Sequence, residues 1–170
     1  MKKRTFLFFL LPLHIACSPT EAEQNRGDLT HTESVSFYID TLATGLENPW
    51  GMEFLSDGRI LIAERAGRLR VWHNGLLQNQ NIEGLPEIWT HGQGGLLDVV
   101  KHPDYENNQM IYLVHAAQGQ TGGSTAITRG RLSGNSLSYV ETIFHAEPHT
   151  NATAHFGSRI VFDDEGYLFS

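Results

Sequence analysis

One segment pattern occurs three times along this chain, and it constrains the fold more than any other feature. The copies begin at Pro49, Gly94 and Phe156, and each joins a glycine-marked start, an apolar strand, an Asp-centred turn and a second apolar strand. Such an antiparallel unit cannot bury both of its faces alone, so its repetition predicts a stack of similar units. Since the third copy breaks off at Ser170, we expect the chain to be the N-terminal part of a longer protein.

Turn residues divide the chain after Val35 into short strands with no sustained helical period. Hairpin turns are predicted at residues 56–58, 73–75 and 133–135, and a glycine-rich loop is predicted at residues 119–124. Four-stranded units of roughly 40 to 60 residues are typical of propeller blades. We therefore predict an all-β propeller, of which about two to two and a half blades are present. A two-sheet sandwich or a barrel built from the same strands is the alternative.

Composition and charge agree with this fold and exclude one class of partner. The 17 glycines and the low charged fraction of 18% suit many short strands and tight turns. The formal net charge is -7, and the body is more negative still once the basic leader is set aside. Nucleic-acid binding normally needs a basic surface, so no nucleic-acid partner is expected.

The first residues have the pattern of an export signal. Lys2, Lys3 and Arg4 precede the apolar residues 5–16, a stretch too short to span a bilayer comfortably. The single cysteine, Cys17, follows this stretch and resembles the lipid acceptor of bacterial lipoproteins, although His14 departs from that pattern. Ordinary cleavage nearby, which would leave a soluble periplasmic protein, is the alternative.

These features predict three regions. They are a lipoprotein-type signal peptide at residues 1–17, a flexible polar tether at 18–34 and the propeller part at 35–170. The predicted location is the bacterial periplasm or outer membrane, with membrane contact only through the lipid anchor.

Two residues at the starts of the second and third units can carry chemistry. His155 is expected at the beginning of a strand, where propeller blades turn side chains toward the central channel, and its imidazole can take a proton from an alcohol. Gln93 occupies the equivalent place in the second unit, between glycines that allow a ligand to approach the backbone. A loop histidine and a tight turn without a ligand are the structural alternatives.

Two further sets of residues permit other interpretations. His145, His149 and His155 suggest a metal cluster, but their spacing fits neither a helical pair nor a zinc motif. Trp50, Trp72 and Trp89 can stack on sugars or, as is more common, pack between blades.

Several motifs in order resemble one family, the soluble pyrroloquinoline quinone (PQQ)-dependent aldose sugar dehydrogenases, also called the glucose/sorbosone dehydrogenase family. The motifs lie at residues 49–52, 91–99, 102–105, 155–163 and 166–169. The resemblance runs from about Gly45 to the end of the chain.

The resemblance implies a six-bladed propeller that oxidises the C1 hydroxyl of aldoses to lactones. It assigns His155 as the general base, with hydride passing from C1 to the quinone, and places Gln93 beside sugar and quinone. PQQ and calcium are the implied cofactors, and the electron acceptor is not identified. The quinone-clamping cations and the calcium loop of the family lie further along than residue 170, so the chain as it stands is expected to bind little quinone and to be inactive.

One departure from the family concerns the sugar. Glucose-oxidising members carry an acidic residue just before the base, whereas this chain has Ala154. A broader or different aldose preference is therefore expected. The rival functions are a non-catalytic propeller that binds a glycan or a protein partner, and a metal-dependent propeller lactonase.

Overall fold

The structure, a computed structural model, describes residues 27–170, which belong to two compact parts of the chain, distinct from the three sequence repeats. The predicted signal peptide, Cys17 and the first part of the predicted tether lie outside the described residues. Up to Thr41, the described chain forms one hairpin of β1 (Leu29–His31) and β2 (Ser36–Tyr38). The last part of the predicted tether therefore contains a strand, and the second compact unit begins at Leu42.

The unit from Leu42 to Ser170 is built from antiparallel sheets whose strands follow each other in chain order. The first sheet has β3 (Pro49–Phe54), β4 (Ile60–Glu64), β5 (Arg68–His73) and β6 (Leu76–Leu77). The second has β7 (Leu96–Lys101), β8 (Met110–Gly119), β9 (Gly122–Ser133) and β10 (Ser136–His145). A final pair consists of β11 (Val161–Phe162) and β12 (Leu168–Phe169). This up-and-down order of four strands is the topology of a propeller blade.

The predicted hairpin turns are confirmed, and their backbone explains the residues that form them. Between β5 and β6, Asn74 and Gly75 have φ values of 51° and 80°. Two consecutive positive φ values are the requirement of a type I′ turn, which Asn-Gly satisfies at low cost. Gly58 and Gly134 likewise have positive φ in the other two turns.

The glycine-rich loop predicted at residues 119–124 is wrong in its extent. Strands β8 and β9 stay paired as far as Gly119 and Gly122, so only a two-residue turn remains. The glycines serve close packing instead, because a Cβ on Gly119 would overlap the ring of His149 and one on Gly123 would overlap Trp89. Sequence pattern shows that the backbone is permissive there, but the approach of these rings is a tertiary event.

A one-turn helix, α1 (Tyr105–Asn108), follows β7 where the sequence predicted only a turn. Its Tyr105 is buried and anchors the turn to the core. Among the described residues, no helix combines the length and the apolar character needed to cross a membrane.

The side chains of β8 alternate between two cores, as the period of a strand requires. Ile111 and Leu113 belong to the cluster shared by the two large sheets. Tyr112 and Val114 belong to a second cluster with Ile160, on the side of β11 and β12. Strand β8 therefore lies between the first sheet on one side and the pair of β11 and β12 on the other.

Candidate active site

The structure brings Gln93 and His155 together, although 62 residues separate them. Gln93 lies in the loop before β7, and His155 lies between β10 and β11. The backbone N–H of His155 donates to Oε1 of Gln93 at 3.0 Å, and the Gln93 N–H donates to the Thr153 carbonyl at 2.7 Å. Both side chains are exposed. The Gln93 amide is therefore bonded to the backbone of His155, and both residues are exposed at the surface of the described chain.

The sequence predicted His155 at the start of a strand, but the structure places it six residues before β11. Strand β11 begins only at Val161, and the preceding residues make contacts with side chains instead of a strand ladder. His155 itself has a φ of 66°, in the left-handed region that a residue with a Cβ seldom occupies. Such a conformation persists only where the surrounding structure holds it, and it is frequent at functional sites.

Arg65, at the end of β4, supports the loop that carries Gln93. Its Nη1 donates to the Gly92 carbonyl at 2.7 Å and to the Gly94 carbonyl at 3.2 Å. Its own carbonyl accepts from the Leu96 N–H at 3.2 Å. The loop is thus bound to the first sheet on one side and to residues 153–155 on the other.

A second link joins β7 to the segment after His155. Arg159 Nη1 donates to Oδ1 of Asp98 at 2.8 Å, and Arg159 Nη2 donates to the Trp50 carbonyl at 3.0 Å. Asp98 is buried, and burial raises the pKa of its carboxyl above the ordinary value, although Arg159 and the N–H groups of Val99 and Ile160 oppose this.

Sequence reasoning missed Arg65, Asp98 and Arg159 as supports of the site. All three lie in the repeated segments, but nothing in the spacing indicates which polar residues point toward another unit. A charged residue next to a continuous apolar run, as Asp98 is on β7, is the only signal that the sequence offers.

The three tryptophans differ in their surroundings. Trp89 packs edge-on against Phe156 at 5.8 Å between ring centroids and lines a cavity of about 280 Å³ with His91. Trp72 donates its Nε1–H to the Leu42 carbonyl at 2.9 Å. Trp50 is 45% exposed and lines an apolar cavity of about 530 Å³ beside Arg159. Trp89 thus packs against a ring of another segment and Trp72 bonds to the backbone, while stacking of the tryptophans on a sugar stays a prediction.

The three histidines of the suggested metal cluster are not brought together as ligands. The rings of His145 and His149 lie 6.3 Å apart, and His149 Nδ1 lies 3.2 Å from Oε2 of Glu147. His155 lies in the other contact network, next to Gln93. Within residues 27–170, no three His, Cys, Asp or Glu side chains are placed to hold a metal ion.

The residues present suit a sugar hydroxyl better than an anionic cofactor. Gln93 and His155 offer a donor, an acceptor and a titratable nitrogen, the groups that a hydroxyl being oxidised requires. The two guanidinium groups of this network, Arg65 and Arg159, are engaged by backbone carbonyls and by Asp98. The carboxylates of a quinone such as PQQ would therefore need cations other than these two.

Known proteins have sequences similar to this chain. Residues 46–170 match the family model of Glucose / Sorbosone dehydrogenase. The chain is 42% identical over 136 residues to the aldose sugar dehydrogenase YliI of Escherichia coli strain K12, a match that covers 77% of this chain and 36% of the relative. The chain therefore spans little more than a third of the length of this curated relative.

Solved structures of sugar dehydrogenases also resemble this chain, again over only part of their own length. A crystal structure of glucose dehydrogenase superposes with a TM-score of 0.71 at 40% identity, covering 75% of this chain and 38% of that chain. The PQQ-bound form of the aldose sugar dehydrogenase from Streptomyces coelicolor gives a TM-score of 0.61 at 26% identity, covering 76% of this chain and 39% of that chain. The predicted all-β propeller class and the predicted family resemblance are both confirmed.

Proposed function

Since this chain belongs to the glucose/sorbosone dehydrogenase family, we propose that the protein oxidises the C1 hydroxyl of aldose sugars to lactones with PQQ as cofactor. The observation that carries the proposal is the junction of Gln93 and His155, where a hydrogen bond of 3.0 Å joins the second and third units. The name of the Escherichia coli relative supports an aldose as substrate, and the PQQ-bound Streptomyces protein supports the cofactor.

In this proposal, one ring nitrogen of His155 takes the proton of the C1 hydroxyl. Removing that proton as the C1 hydride leaves lowers the barrier, and a positioned base contributes about 10²- to 10⁴-fold to a rate. Gln93 orients the base, because its Oε1 holds the His155 N–H, and its amide N–H₂ remains able to donate to a sugar oxygen. The chemistry that PQQ supplies when bound is the acceptance of the hydride.

The cofactor-binding groups that this proposal requires lie outside the contacts of Gln93 and His155. Calcium is proposed with PQQ because of the family, and its ligands are expected beyond residue 170. A chain of these 170 residues alone is accordingly expected to bind little PQQ and to oxidise no sugar.

The position before the base bears on the choice of sugar. Ala154 has a methyl group where a carboxylate would accept a hydrogen bond from a sugar hydroxyl. We propose a broad aldose preference, because one fewer fixed acceptor discriminates less between hydroxyl patterns. Replacing Ala154 with Asp is expected to narrow the range of sugars oxidised.

The export signal and the lipid anchor at Cys17 complete the proposal. A lipidated N-terminus would hold the enzyme at the bacterial outer membrane. Mass spectrometry of the mature N-terminus tests this proposal, and an unmodified start at Ser18 or later would contradict lipidation.

The main experiment uses the protein expressed from its complete reading frame. With PQQ and calcium added, dye reduction is measured with several aldoses, and we expect turnover. His155→Ala is expected to lose about 10²- to 10⁴-fold in kcat while it retains bound quinone. His31→Ala serves as the control, because His31 lies in β1, outside the compact unit, and is expected to leave kcat unchanged.

The alternative functions appear as distinct outcomes. A folded, reconstituted protein with no turnover on any aldose would contradict the dehydrogenase proposal and favour a binding propeller. Hydrolysis of a lactone that depends on added metal would favour the lactonase. If His155→Ala loses the quinone itself, His155 is a binding residue and not the base.

A further inference from the structure

We infer that Asp98 and Arg159 form a positioning pair, which holds the segment of residues 153–160 so that His155 meets Gln93. This inference rests on the proposed function for its kinetic consequence, although its structural part stands independently. The bonds of Arg159 go to Asp98 and to the Trp50 carbonyl, so the pair acts through the backbone that connects Arg159 to His155.

The pair lies where three parts of the chain meet. Asp98 is on β7, the Trp50 carbonyl is on β3, and Arg159 belongs to the segment before β11. One guanidinium joins all three, with bonds of 2.8 Å to Asp98 Oδ1 and 3.0 Å to the Trp50 carbonyl. A planar guanidinium can satisfy two acceptors at fixed geometry, which a flexible ammonium does less well.

Asp98 is fixed in place by its surroundings. Its relative exposure is 3%, and a Cβ on Gly51 would overlap its carboxylate, so the strand of Gly51 packs directly against it. The Ile160 N–H also lowers the pKa of this carboxyl, against the effect of burial. A buried carboxylate needs such partners, and each of them comes with a defined backbone position.

The segment that carries His155 depends on these bonds because strand pairing does not hold it. The Thr150–Gly123 bridge lies before it and β11 begins at Val161 after it. Between them, Gln93 binds Thr153 and His155, and Asp98 binds Arg159. Residues 93–98 thus supply two of the polar contacts that hold the segment. Arg159 also donates to the Trp50 carbonyl, and Phe156 packs against Trp89.

The unfavourable backbone conformation of His155 explains why the Asp98–Arg159 bond is needed besides the Gln93 contact. A φ of 66° is unfavourable for a residue with a Cβ. Without the Asp98–Arg159 bond, we expect the segment to relax toward ordinary backbone angles. The Asp98–Arg159 bond fixes the far end and so prevents that relaxation.

The chain offers a matched control for this pair. Lys101 and Glu53 also join β7 to β3, with 3.3 Å from Lys101 Nζ to Glu53 Oε1 and 2.9 Å from the Lys101 N–H to Glu53 Oε2. Their bonds include no residue of 153–160. Glu53→Gln therefore removes one carboxylate charge from the same strand junction without touching the segment of His155.

The experiment compares Asp98→Asn, Arg159→Met and Arg159→Lys with Glu53→Gln in the protein expressed from its complete reading frame. Three quantities are measured: kcat and KM for an aldose with PQQ and calcium, amide hydrogen exchange in peptides covering residues 150–160, and the thermal midpoint. For Asp98→Asn and Arg159→Met we expect at least a tenfold loss in kcat, with KM changed less than threefold, because a small misplacement of a base mainly affects the reaction step.

Hydrogen exchange provides the readout that does not depend on turnover. Amides of residues 150–160 are expected to exchange at least fivefold faster in Asp98→Asn and Arg159→Met, and at the wild-type rate in Glu53→Gln. Arg159→Lys is expected to recover part of kcat and part of the protection from exchange. Lysine keeps the positive charge but cannot make both hydrogen bonds of the guanidinium at fixed geometry. The Arg159 side chain is 65% exposed, so Arg159→Met and Arg159→Lys are both expected to fold.

The outcomes separate this inference from the proposed function. Equal effects of Glu53→Gln and Asp98→Asn on exchange and kcat would overturn the inference, as would unchanged exchange in both Arg159 variants. If the wild-type protein oxidises no aldose, the proposed function fails, while the exchange data still test whether the pair positions the segment.

Discussion

Each of the two four-stranded sheets contains one buried carboxylate that is paired with arginine, and the two differ in how they are compensated. Glu64, at the end of β4, has 0% exposure, and Asp98, on β7, has 3%. Glu64 accepts from Arg68 at 2.6 Å, from Arg70 at 3.2 Å and from the Glu47 N–H at 2.7 Å. Asp98 has one guanidinium, Arg159, at 2.8 Å.

The pKa values move in opposite directions for this reason. Burial acts to raise the pKa of both carboxyls. For Glu64, the Glu47 N–H and the two guanidinium groups outweigh burial, and its pKa is lowered. For Asp98, burial prevails over Arg159, and its pKa is raised. The number of charged donors, and not burial alone, decides the sign.

The comparison separates two uses of a buried acid. Glu64 is compensated within its own sheet and the loop before it, so it stabilises the first sheet as a unit. Asp98 has a guanidinium from another unit as its partner, so its charge is satisfied only when that unit is in place. The less compensated acid is the one that joins units and lies next to the candidate active site.

The largest expected effect on stability comes from removing Glu64. Glu64→Ala leaves Arg68, Arg70 and the Glu47 N–H without their shared partner, and we expect a loss of about 3–5 kcal/mol in the free energy of unfolding. Denaturant unfolding measures it. Glu141→Ala is the control, because the exposed pair of Glu141 with Arg129 is worth less than about 1 kcal/mol. Similar losses in the two variants would contradict the role given to Glu64.

A smaller effect is expected at the contact between Gly51 and Asp98. In Gly51→Ala, the added Cβ would overlap the carboxylate and would lie 3.0 Å from the Asp98 Cα, so β3 and β7 must move apart. Overpacking of this kind costs about 1–3 kcal/mol. Gly130→Ala is the control, because its Cβ would come no closer to another atom than 3.4 Å, from Val140 Cγ2, and it should change stability by less than about 1 kcal/mol. A neutral Gly51→Ala would mean that the junction is loosely packed.

The smallest expected effect is a difference in pH dependence. The pKa of Glu64 is lowered from 4.5, so its contribution to stability is complete above that pH and is lost as the pH falls through the folded-state value. The pKa of Asp98 is raised from 3.8, so stability falls as the pH rises from 3.8 through its folded-state value.

Two isosteric variants test these opposite signs. Unfolding of the wild-type protein, Glu64→Gln and Asp98→Asn is followed by denaturant titration between about pH 3 and pH 7. The stability difference between wild type and Glu64→Gln should grow as the pH rises toward 4.5, and that between wild type and Asp98→Asn should shrink above 3.8. Equal slopes for the two variants would contradict the comparison.

Local sequence was sufficient for most strands and hairpin turns of the two large sheets. The Asn74–Gly75 turn needs two positive φ values that this dipeptide accepts, and the apolar run of β7 permits burial on both faces. The same local rules failed at residues 119–124, where glycines serve the approach of His149 and Trp89 rather than a loop. Local rules describe what a backbone can do and contain no information on which distant ring approaches it.

The candidate site shows the same division. The sequence alone determined the all-β repeat, its family, and the choice of Gln93 and His155, because motif order and residue chemistry are local properties. Only the tertiary structure decided that Gln93 binds the backbone of His155, that His155 lies before β11 in a left-handed conformation, and that Asp98 binds Arg159. These are contacts between residues about 60 apart in the chain, and their geometry depends on how the sheets pack, which no short window of sequence contains.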